Sequence, residues 1–221
     1  MFQQGSKSCK QVTLLIKQGK TFAFHCNFIY LGAIGIRNVT LELGGKSPLI
    51  IFDDADLKNA VKGALMANFF TQGQVCSNGT RIFVQRGIYK DFLREFVAQA
   101  KKMKAGDPLK DDTTIGATIH KEHAEKVLGY IERARKAGAK IECGGERIPL
   151  DGDLSGGFYL SPCVVTDCTD DMEVVREEIF GSVACVLPFD DEEEAVRRAN
   201  DTPFGLAGNV SLLCLGCTSR N

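Results

Sequence analysis

The sequence predicts an α/β fold in which a largely parallel sheet is flanked by helices. Short apolar runs rich in β-branched residues alternate with amphipathic helical patterns, and segments rich in glycine or proline separate them. This order of elements is typical of parallel sheets, whose strands are joined by crossover helices. Because ligands of such sheets usually bind beyond the carboxyl ends of the strands, we expect a site at that edge.

The first elements follow a glycine-rich break. Val39–Leu43 precedes the break and is a strand candidate, and Leu49–Phe52 follows it with the apolar run of a buried strand. Asp54 or Asp56 can then cap a helix that continues to about Thr71, with apolar residues three or four positions apart.

The remaining elements repeat the alternation. Further strands are predicted at Thr80–Val84, Lys140–Cys143, Phe158–Leu160, Cys163–Val165 and Val183–Phe189. Further helices are predicted at Lys90–Met103, His120–Ala137 and Asp191–Ala199. Residues 1–36 show neither a strand period nor a helical one, so no element is predicted there.

Composition and charge exclude several classes of protein. The 221 residues are 44% hydrophobic and 25% charged, close to the globular average, which excludes wholesale disorder and a coiled coil. Lys and Arg total 27 and Asp and Glu total 28, so the net charge of −1 gives no electrostatic case for binding nucleic acid or an anionic membrane. The longest apolar stretch, Phe22–Ile36, is shorter than the roughly 20 residues of a membrane span.

The nine cysteines are scattered through predicted strands and loops. An odd number without a paired framework suits free thiols in a reducing compartment, which favours the cytosol. Cys214 and Cys217 have the CxxC spacing of a zinc site, but no second pair or nearby histidine accompanies them. We therefore expect no bound metal.

Two residues are candidates for chemistry. Cys76 lies in a loop between Gly73 and Gly79, where its thiol could face a cleft, although a free cysteine is more often a small buried core residue. Because the preceding helix end disfavours a thiolate, a nearby base or bound cation would have to activate it. Glu42 precedes two glycines and is either a carboxylate that needs a partner or a glutamate facing water.

The histidines give a cysteine nucleophile little support. His120 and His123 fall on one predicted helix face with charged neighbours, which indicates a solvated surface. A cysteine–histidine hydrolase is therefore not supported by the spacing of these residues.

Longer motifs carry a family resemblance. Residues 39–48, VTLELGGKSP, and residues 70–81, FTQGQVCSNGTR, resemble the two active-site signatures of the NAD(P)-dependent aldehyde dehydrogenase superfamily. The runs EEIFG at 177–181 and NDTPFGLA at 200–207 also match that family, in the same order. The run GALMANF at 63–69 is most similar to the betaine-aldehyde and 4-trimethylaminobutyraldehyde dehydrogenase branch.

The resemblance implies a role for each matched residue. Cys76 would be the nucleophile that adds to an aldehyde as a thiohemiacetal, and hydride transfer from this adduct to NAD or NADP would leave a thioester. Glu42, 34 positions earlier, would be the general base that activates water. Glu178 would hydrogen-bond the nicotinamide-side ribose and Phe180 would pack beside the nicotinamide ring. Leu43 would contact the cofactor through its backbone.

The resemblance also implies a division of the chain. It predicts a divergent N-terminal segment at 1–36, a remnant of the cofactor-binding domain at 37–43, a partial catalytic domain at 44–210 and a divergent tail at 211–221. Most of the family's cofactor domain, with its oxyanion-hole asparagine, finds no match. By the same resemblance, copies of the chain would associate as a homo-oligomer.

Two functions remain open at this point. The first is an aldehyde dehydrogenase that oxidises a small-molecule aldehyde, such as an amino- or trimethylammonio-aldehyde. The second is a catalytically incompetent interaction or regulatory module that pairs through exposed sheet edges. Because losing an oxyanion donor commonly costs about 10²- to 10³-fold in rate and most of the cofactor domain is unmatched, we expect weak or no aldehyde dehydrogenase activity from the isolated chain.

Overall fold

The computed structural model describes residues 41–211. The strands of this range are β1 Pro48–Ile51, β2 Arg81–Gln85, β3 Lys140–Cys143, β4 Arg147–Ile148, β5 Tyr159–Leu160, β6 Cys163–Thr166, β7 Val183–Phe189 and β8 Asn209–Ser211. Its α-helices are α1 Leu57–Phe69, α2 Arg86–Ala100, α3 Lys121–Lys136, α4 Glu173–Arg176 and α5 Glu192–Asn200. Short 3-10 turns lie at Phe70–Gly73 and Gly152–Leu154.

Six of these strands form one sheet in the order β3–β6–β7–β2–β1–β8. The four neighbouring pairs from β6 to β8 are parallel, and β3 runs antiparallel to β6 at one edge. Strands β4 and β5 pair separately as a short antiparallel ribbon. The largely parallel sheet predicted from the sequence is confirmed.

Helices cover both faces of this sheet, so successive residues of the central strands point into two different cores. On one face α1 and α2 pack over Ile51, Ile82 and Val186. On the other face α3, α4 and α5 pack over Phe83 and Cys185. Burial on both faces explains why these strands are nearly continuous apolar runs, as is usual for parallel sheets.

Aspartates cap two of the predicted helices. The Asp56 carboxylate accepts a hydrogen bond from the Asn59 backbone N–H at 2.8 Å, and the Asp191 carboxylate accepts one from Glu194 at 2.8 Å. Each carboxylate satisfies an N–H that has no partner inside its helix. These caps fix where α1 and α5 begin.

Two local predictions are corrected. Residues 39–40 of the predicted strand Val39–Leu43 lie outside the described residues, and 41–43 form no strand, because no described strand lies beside them to share a hydrogen-bond ladder. Helix α2 begins at Arg86 and not at Lys90, directly where β2 ends. Its start has no side-chain cap that the sequence could have revealed.

Candidate active site

The candidate residues precede the amino ends of three neighbouring parallel strands. Glu42 and Leu43 lie before β1, Cys76 lies before β2, and Glu178 and Phe180 lie before β7. Because these strands are adjacent and parallel, the three segments meet at one edge of the sheet. The expectation of a site beyond the carboxyl ends is therefore wrong for these residues, since their glycine-rich segments lead into the strands and do not leave them.

Two glycines bring the segment after Glu42 against both other loops. The Gly45 N–H donates a hydrogen bond to Glu178 Oε1 at 2.9 Å. A Cβ placed on Gly45 would lie 2.2 Å from the Cys76 carbonyl oxygen, and one placed on Gly44 would lie 2.7 Å from Glu178 Oε2. Backbones can approach this closely only where a side chain is missing. The glycine pair thus joins the cysteine loop to the Glu178 segment.

The turn that leads to Cys76 has an unusual backbone. Thr71, Gln72 and Gly73 follow one another with φ values of 51°, 57° and 71°. A β-branched residue rarely adopts the left-handed region, and such strain persists where surrounding structure enforces it. Here a Cβ on Gly73 would lie 2.2 Å from the Gly181 carbonyl oxygen, so the turn is packed directly on the segment that carries Glu178.

Cys76 itself occupies a tight turn. The Asn78 N–H donates to the Val75 carbonyl at 3.2 Å, and the Gly79 N–H donates to the Ala67 carbonyl of α1 at 3.0 Å. The Cys76 thiol is free and half-buried, whereas Glu42 is exposed. Cys76 is therefore not one of the core cysteines, and Glu42 faces water, one of the two alternatives that its sequence position left open.

Phe180 is held by a histidine that sequence reasoning did not select. Phe180 is 37% exposed and has a φ of 60°. His123 Nε2 lies 2.6 Å from the Phe180 carbonyl oxygen, and the two rings meet edge to face with centroids 6.1 Å apart. Because a carbonyl only accepts, Nε2 donates in this contact. The interpretation of His123 as merely solvated is wrong, and its helical spacing gave no signal of the contact.

The other histidine of the pair has a structural role. His120 Nδ1 accepts a hydrogen bond from the His123 backbone N–H at 3.1 Å and so caps the start of α3. A cap at this position fixes where His123 projects from the helix. The sequence predicted the helix start at His120 correctly. It gave no indication that the His120 ring caps the helix.

Two buried cations anchor the strands behind the site. Lys46 Nζ donates to the Val174 carbonyl at 2.8 Å, and Arg81 Nε donates to the Lys46 carbonyl at 2.8 Å. Arg81 also donates to the Ala199 carbonyl at 2.8 Å. Burial lowers the pKa of Lys46 to about 8 and that of Arg81 to about 10. These hydrogen bonds hold the starts of β1 and β2 against α4 and α5.

Residues 41–211 contain neither a candidate metal site nor a membrane-spanning helix. No cluster of three or more His, Cys, Asp or Glu in this range could hold a metal ion. None of the helices in the same range is long and apolar enough to cross a membrane. Cys214 and Cys217 lie outside the described residues.

Comparison with known proteins places the chain in a family. The sequence profile of the aldehyde dehydrogenase family matches residues 30–211, which include all three converging segments. The chain belongs to the aldehyde dehydrogenase family. Sequence analysis predicted this membership from the motifs around Glu42 and Cys76.

Relatives in this family are close in sequence and in fold. The chain is 60% identical over 181 residues to 4-trimethylaminobutyraldehyde dehydrogenase of Oryzias latipes and 58% identical to that of Homo sapiens, covering 81% of this chain in both cases. It spans only 36% and 37% of those two proteins. The chain therefore corresponds to little more than a third of a full-length aldehyde dehydrogenase.

Solved aldehyde dehydrogenases superpose on the same part of the chain. A betaine aldehyde dehydrogenase from Staphylococcus aureus in complex with NAD+ has a TM-score of 0.77 and 42% identity, covering 88% of this chain and 38% of its own. An aldehyde dehydrogenase from Bacillus cereus has a TM-score of 0.76 and 43% identity, covering 86% and 38%. The α/β fold of this chain is thus that of a segment of these enzymes.

Proposed function

We propose that this chain carries the nucleophile, the base and the nicotinamide-facing residues of an enzyme that oxidises an aldehyde to a carboxylate with NAD(P). The observation that carries the proposal is the position of Gly45. Its N–H donates to Glu178, and a Cβ added to it would lie 2.2 Å from the Cys76 carbonyl oxygen. One residue thereby joins the three segments whose motifs match the family signatures.

In the proposed reaction Cys76 forms two successive covalent adducts. Its thiolate adds to the aldehyde carbonyl carbon and gives a thiohemiacetal. If NAD were bound it would accept hydride from that carbon, and the oxyanion form of the adduct would thereby become a thioester on Cys76. Glu42 then removes a proton from a water molecule, which attacks the thioester and releases the carboxylate. The exposure of Glu42 suits this last step, because the base has to meet water.

Glu178, Phe180 and Leu43 fit the nicotinamide end of NAD. Gly45 holds one Glu178 oxygen, and within residues 41–211 the second oxygen has no hydrogen-bond partner, so it is free to accept from a ribose hydroxyl. The exposed Phe180 ring offers an apolar surface to a planar ring. Leu43 lies on the same side, two residues before Gly45. NAD is the cofactor favoured here, since the solved Staphylococcus aureus relative binds NAD+.

The substrate that we propose is an aldehyde bearing an amino or trimethylammonio group. Support comes from the names of the relatives, which are 4-trimethylaminobutyraldehyde and betaine aldehyde dehydrogenases. We also propose that the enzyme acts in the cytosol and that copies of it associate, as the family resemblance implies.

Hydrolysis of an activated ester tests the two catalytic roles without requiring the cofactor. With p-nitrophenyl acetate, Cys76 should be acetylated with release of p-nitrophenol, and Glu42 should assist hydrolysis of the resulting thioester. Cys76→Ala should abolish the protein-dependent release. Glu42→Gln should leave an acetyl group, an addition of about 42 Da, trapped on Cys76.

Cys143→Ala is the matched control, because Cys143 is another half-buried free thiol and lies on β3, at the far edge of the sheet. This variant should release p-nitrophenol as the wild type does. Equal release by Cys76→Ala and the wild type would contradict the proposal and favour the alternative of a non-catalytic interaction module.

A further inference from the structure

Beneath the glycine pair lies a cluster of one amine and two thiols that the proposed reaction does not use. Lys46 Nζ donates to the Val174 carbonyl at 2.8 Å, and Cys185 Sγ lies 3.4 Å from the same oxygen. Cys168 packs against the core cluster that contains Cys185, and each thiol shifts the pKa of the other. Lys46 and Cys185 therefore share one backbone carbonyl, and Cys168 lies beside them in the same core.

The fold brings the two cysteines together across neighbouring strands. Cys185 lies in β7 and is paired in register with Val165 of β6. After β6 the chain reverses at Asp167, whose φ is 54°, and the Cys168 thiol returns to within 3.6 Å of the Thr166 carbonyl. The turn thus brings Cys168 back toward β7, where the two side chains join the same apolar core.

The two thiols differ in charge and in access. The hydrogen bond from Cys168, together with the charges of Lys46 and Arg81, lowers the pKa of Cys185. The same hydrogen bond and burial raise the pKa of Cys168. Cys185 is therefore the more readily deprotonated of the two thiols. Cys185 is fully buried, whereas Cys168 is half-buried, so a small oxidant reaches Cys168 first.

We propose that Cys168 and Cys185 are a redox modification site, at which a hydroperoxide joins them in a disulfide beneath Lys46. The site is independent of Cys76 and goes beyond the aldehyde chemistry proposed above. Two neighbouring thiols, one of them more readily deprotonated and the other accessible to solvent, are the arrangement that such oxidation requires.

The chemistry balances with hydrogen peroxide as the oxidant. Cys168 sulfur attacks one peroxide oxygen while its proton passes to Cys185, the O–O bond breaks, and the leaving hydroxide takes a proton from Lys46 to become water. Lys46 then removes the proton from Cys185, whose sulfur displaces hydroxide from the Cys168 sulfenic acid. This hydroxide again becomes water by taking the proton from Lys46. Each sulfur is oxidised by one electron and both peroxide oxygens end as water.

Oxidation also removes charge from the buried site. After the reaction Lys46 is a neutral amine, which is the form that burial favours at this position. The buried thiolate is also removed. The oxidised site therefore holds no buried charge on either Lys46 or Cys185.

Peptide mapping of the folded chain tests the proposal. The protein is treated with hydrogen peroxide, free thiols are blocked with N-ethylmaleimide, and the chain is cleaved after Arg176 by trypsin and before Asp167 by a protease specific for Asp. These cuts separate Cys168 from both Cys185 and Cys163. We expect a linked peptide pair containing Cys168 and Cys185, with a mass about 2 Da below the sum of the two thiol peptides, that dithiothreitol separates.

Two variants and two controls show which cysteines form the link. Cys168→Ala and Cys185→Ala should each abolish the linked pair. Cys163→Ala and Cys143→Ala should leave it intact, although burial raises the thiol pKa at both of these positions too. The result for the wild type stands even if a variant fails to fold. Maleimide on both Cys168 and Cys185 after peroxide treatment, or sulfinic acid at Cys168 without a link, would overturn the proposal.

Discussion

Gly45 has no room for a side chain. A methyl group there would sit 2.2 Å from the Cys76 carbonyl oxygen, which is backbone and cannot rotate away. Gly45→Ala should therefore displace the cysteine loop and lower the rate of p-nitrophenyl acetate acylation of Cys76 by about tenfold or more, because catalysis depends on sub-ångström positioning.

Gly63→Ala is the matched control for that substitution. Gly63 lies on an exposed face of α1 with nothing within 4 Å of its added methyl group. Since alanine is a better helix former, this variant should keep its acylation rate and gain about 0.5 to 1 kcal/mol in free energy of unfolding. An acylation rate unchanged in Gly45→Ala would contradict the convergence of the two loops.

Because the Lys46 amine is buried, we expect the free energy of unfolding to depend on pH in the alkaline range. Its pKa falls from 10.5 in the unfolded chain to about 8 when it is buried. Between these values the unfolded chain holds a proton that the folded chain has released, so the Lys46 contribution to the free energy of unfolding rises with pH, in total by on the order of 3 kcal/mol.

The comparison with Lys46→Met isolates this effect. In urea unfolding under reducing conditions, the stability of the wild type relative to Lys46→Met should increase from pH 8 to pH 10. Lys62→Met, at an exposed position on α1, should show no such trend. A constant difference between wild type and Lys46→Met would mean that burial does not lower the pKa of Lys46.

Sequence reasoning selected the residues with chemistry but not the residues that hold them. Cys76, Glu42, Glu178 and Phe180 stand in recognisable motifs. His123 does not, because its contact with Phe180 joins positions that are far apart in the sequence, and such contacts leave no periodic signal.

The start of a helix depends on hydrogen bonds between residues that are close in the sequence. Asp56 accepts a hydrogen bond from the Asn59 N–H at the start of α1, so Asp56→Ala should cost about 1 kcal/mol in free energy of unfolding. Asp54→Ala is the control, since Asp54 is exposed and caps nothing in the structure. Urea unfolding measures both, and equal losses would show that the cap contributes no stability.

Elements with a clear local sequence pattern were predictable. Buried strands β6 and β7 and the capped helices α1 and α5 fall within a residue or two of their predicted bounds. Strand β8 and helix α4 were not predicted. Strand β8 is three residues long and helix α4 is four, and both depend on packing against distant strands and not on a local pattern.

The order of strands in the sheet determines where the candidate catalytic residues come together. Alternating strands and helices predicted a parallel sheet, but the sequence did not show that β7, β2 and β1 would be neighbours. That order is what places three glycine-containing segments at the amino edge. The general preference of parallel sheets for ligands at the carboxyl edge consequently gave the wrong location for these residues.

The alkylation rate of each free cysteine with iodoacetamide, measured by peptide mass spectrometry, shows directly whether Cys76 is an activated thiol. If the converging loops activate Cys76 beside a nicotinamide site, Cys76 should react at least about tenfold faster than the half-buried thiols Cys143 and Cys168, and millimolar NAD should slow it selectively. Reaction of Cys76 at the rate of those thiols, with no effect of NAD, would contradict the account.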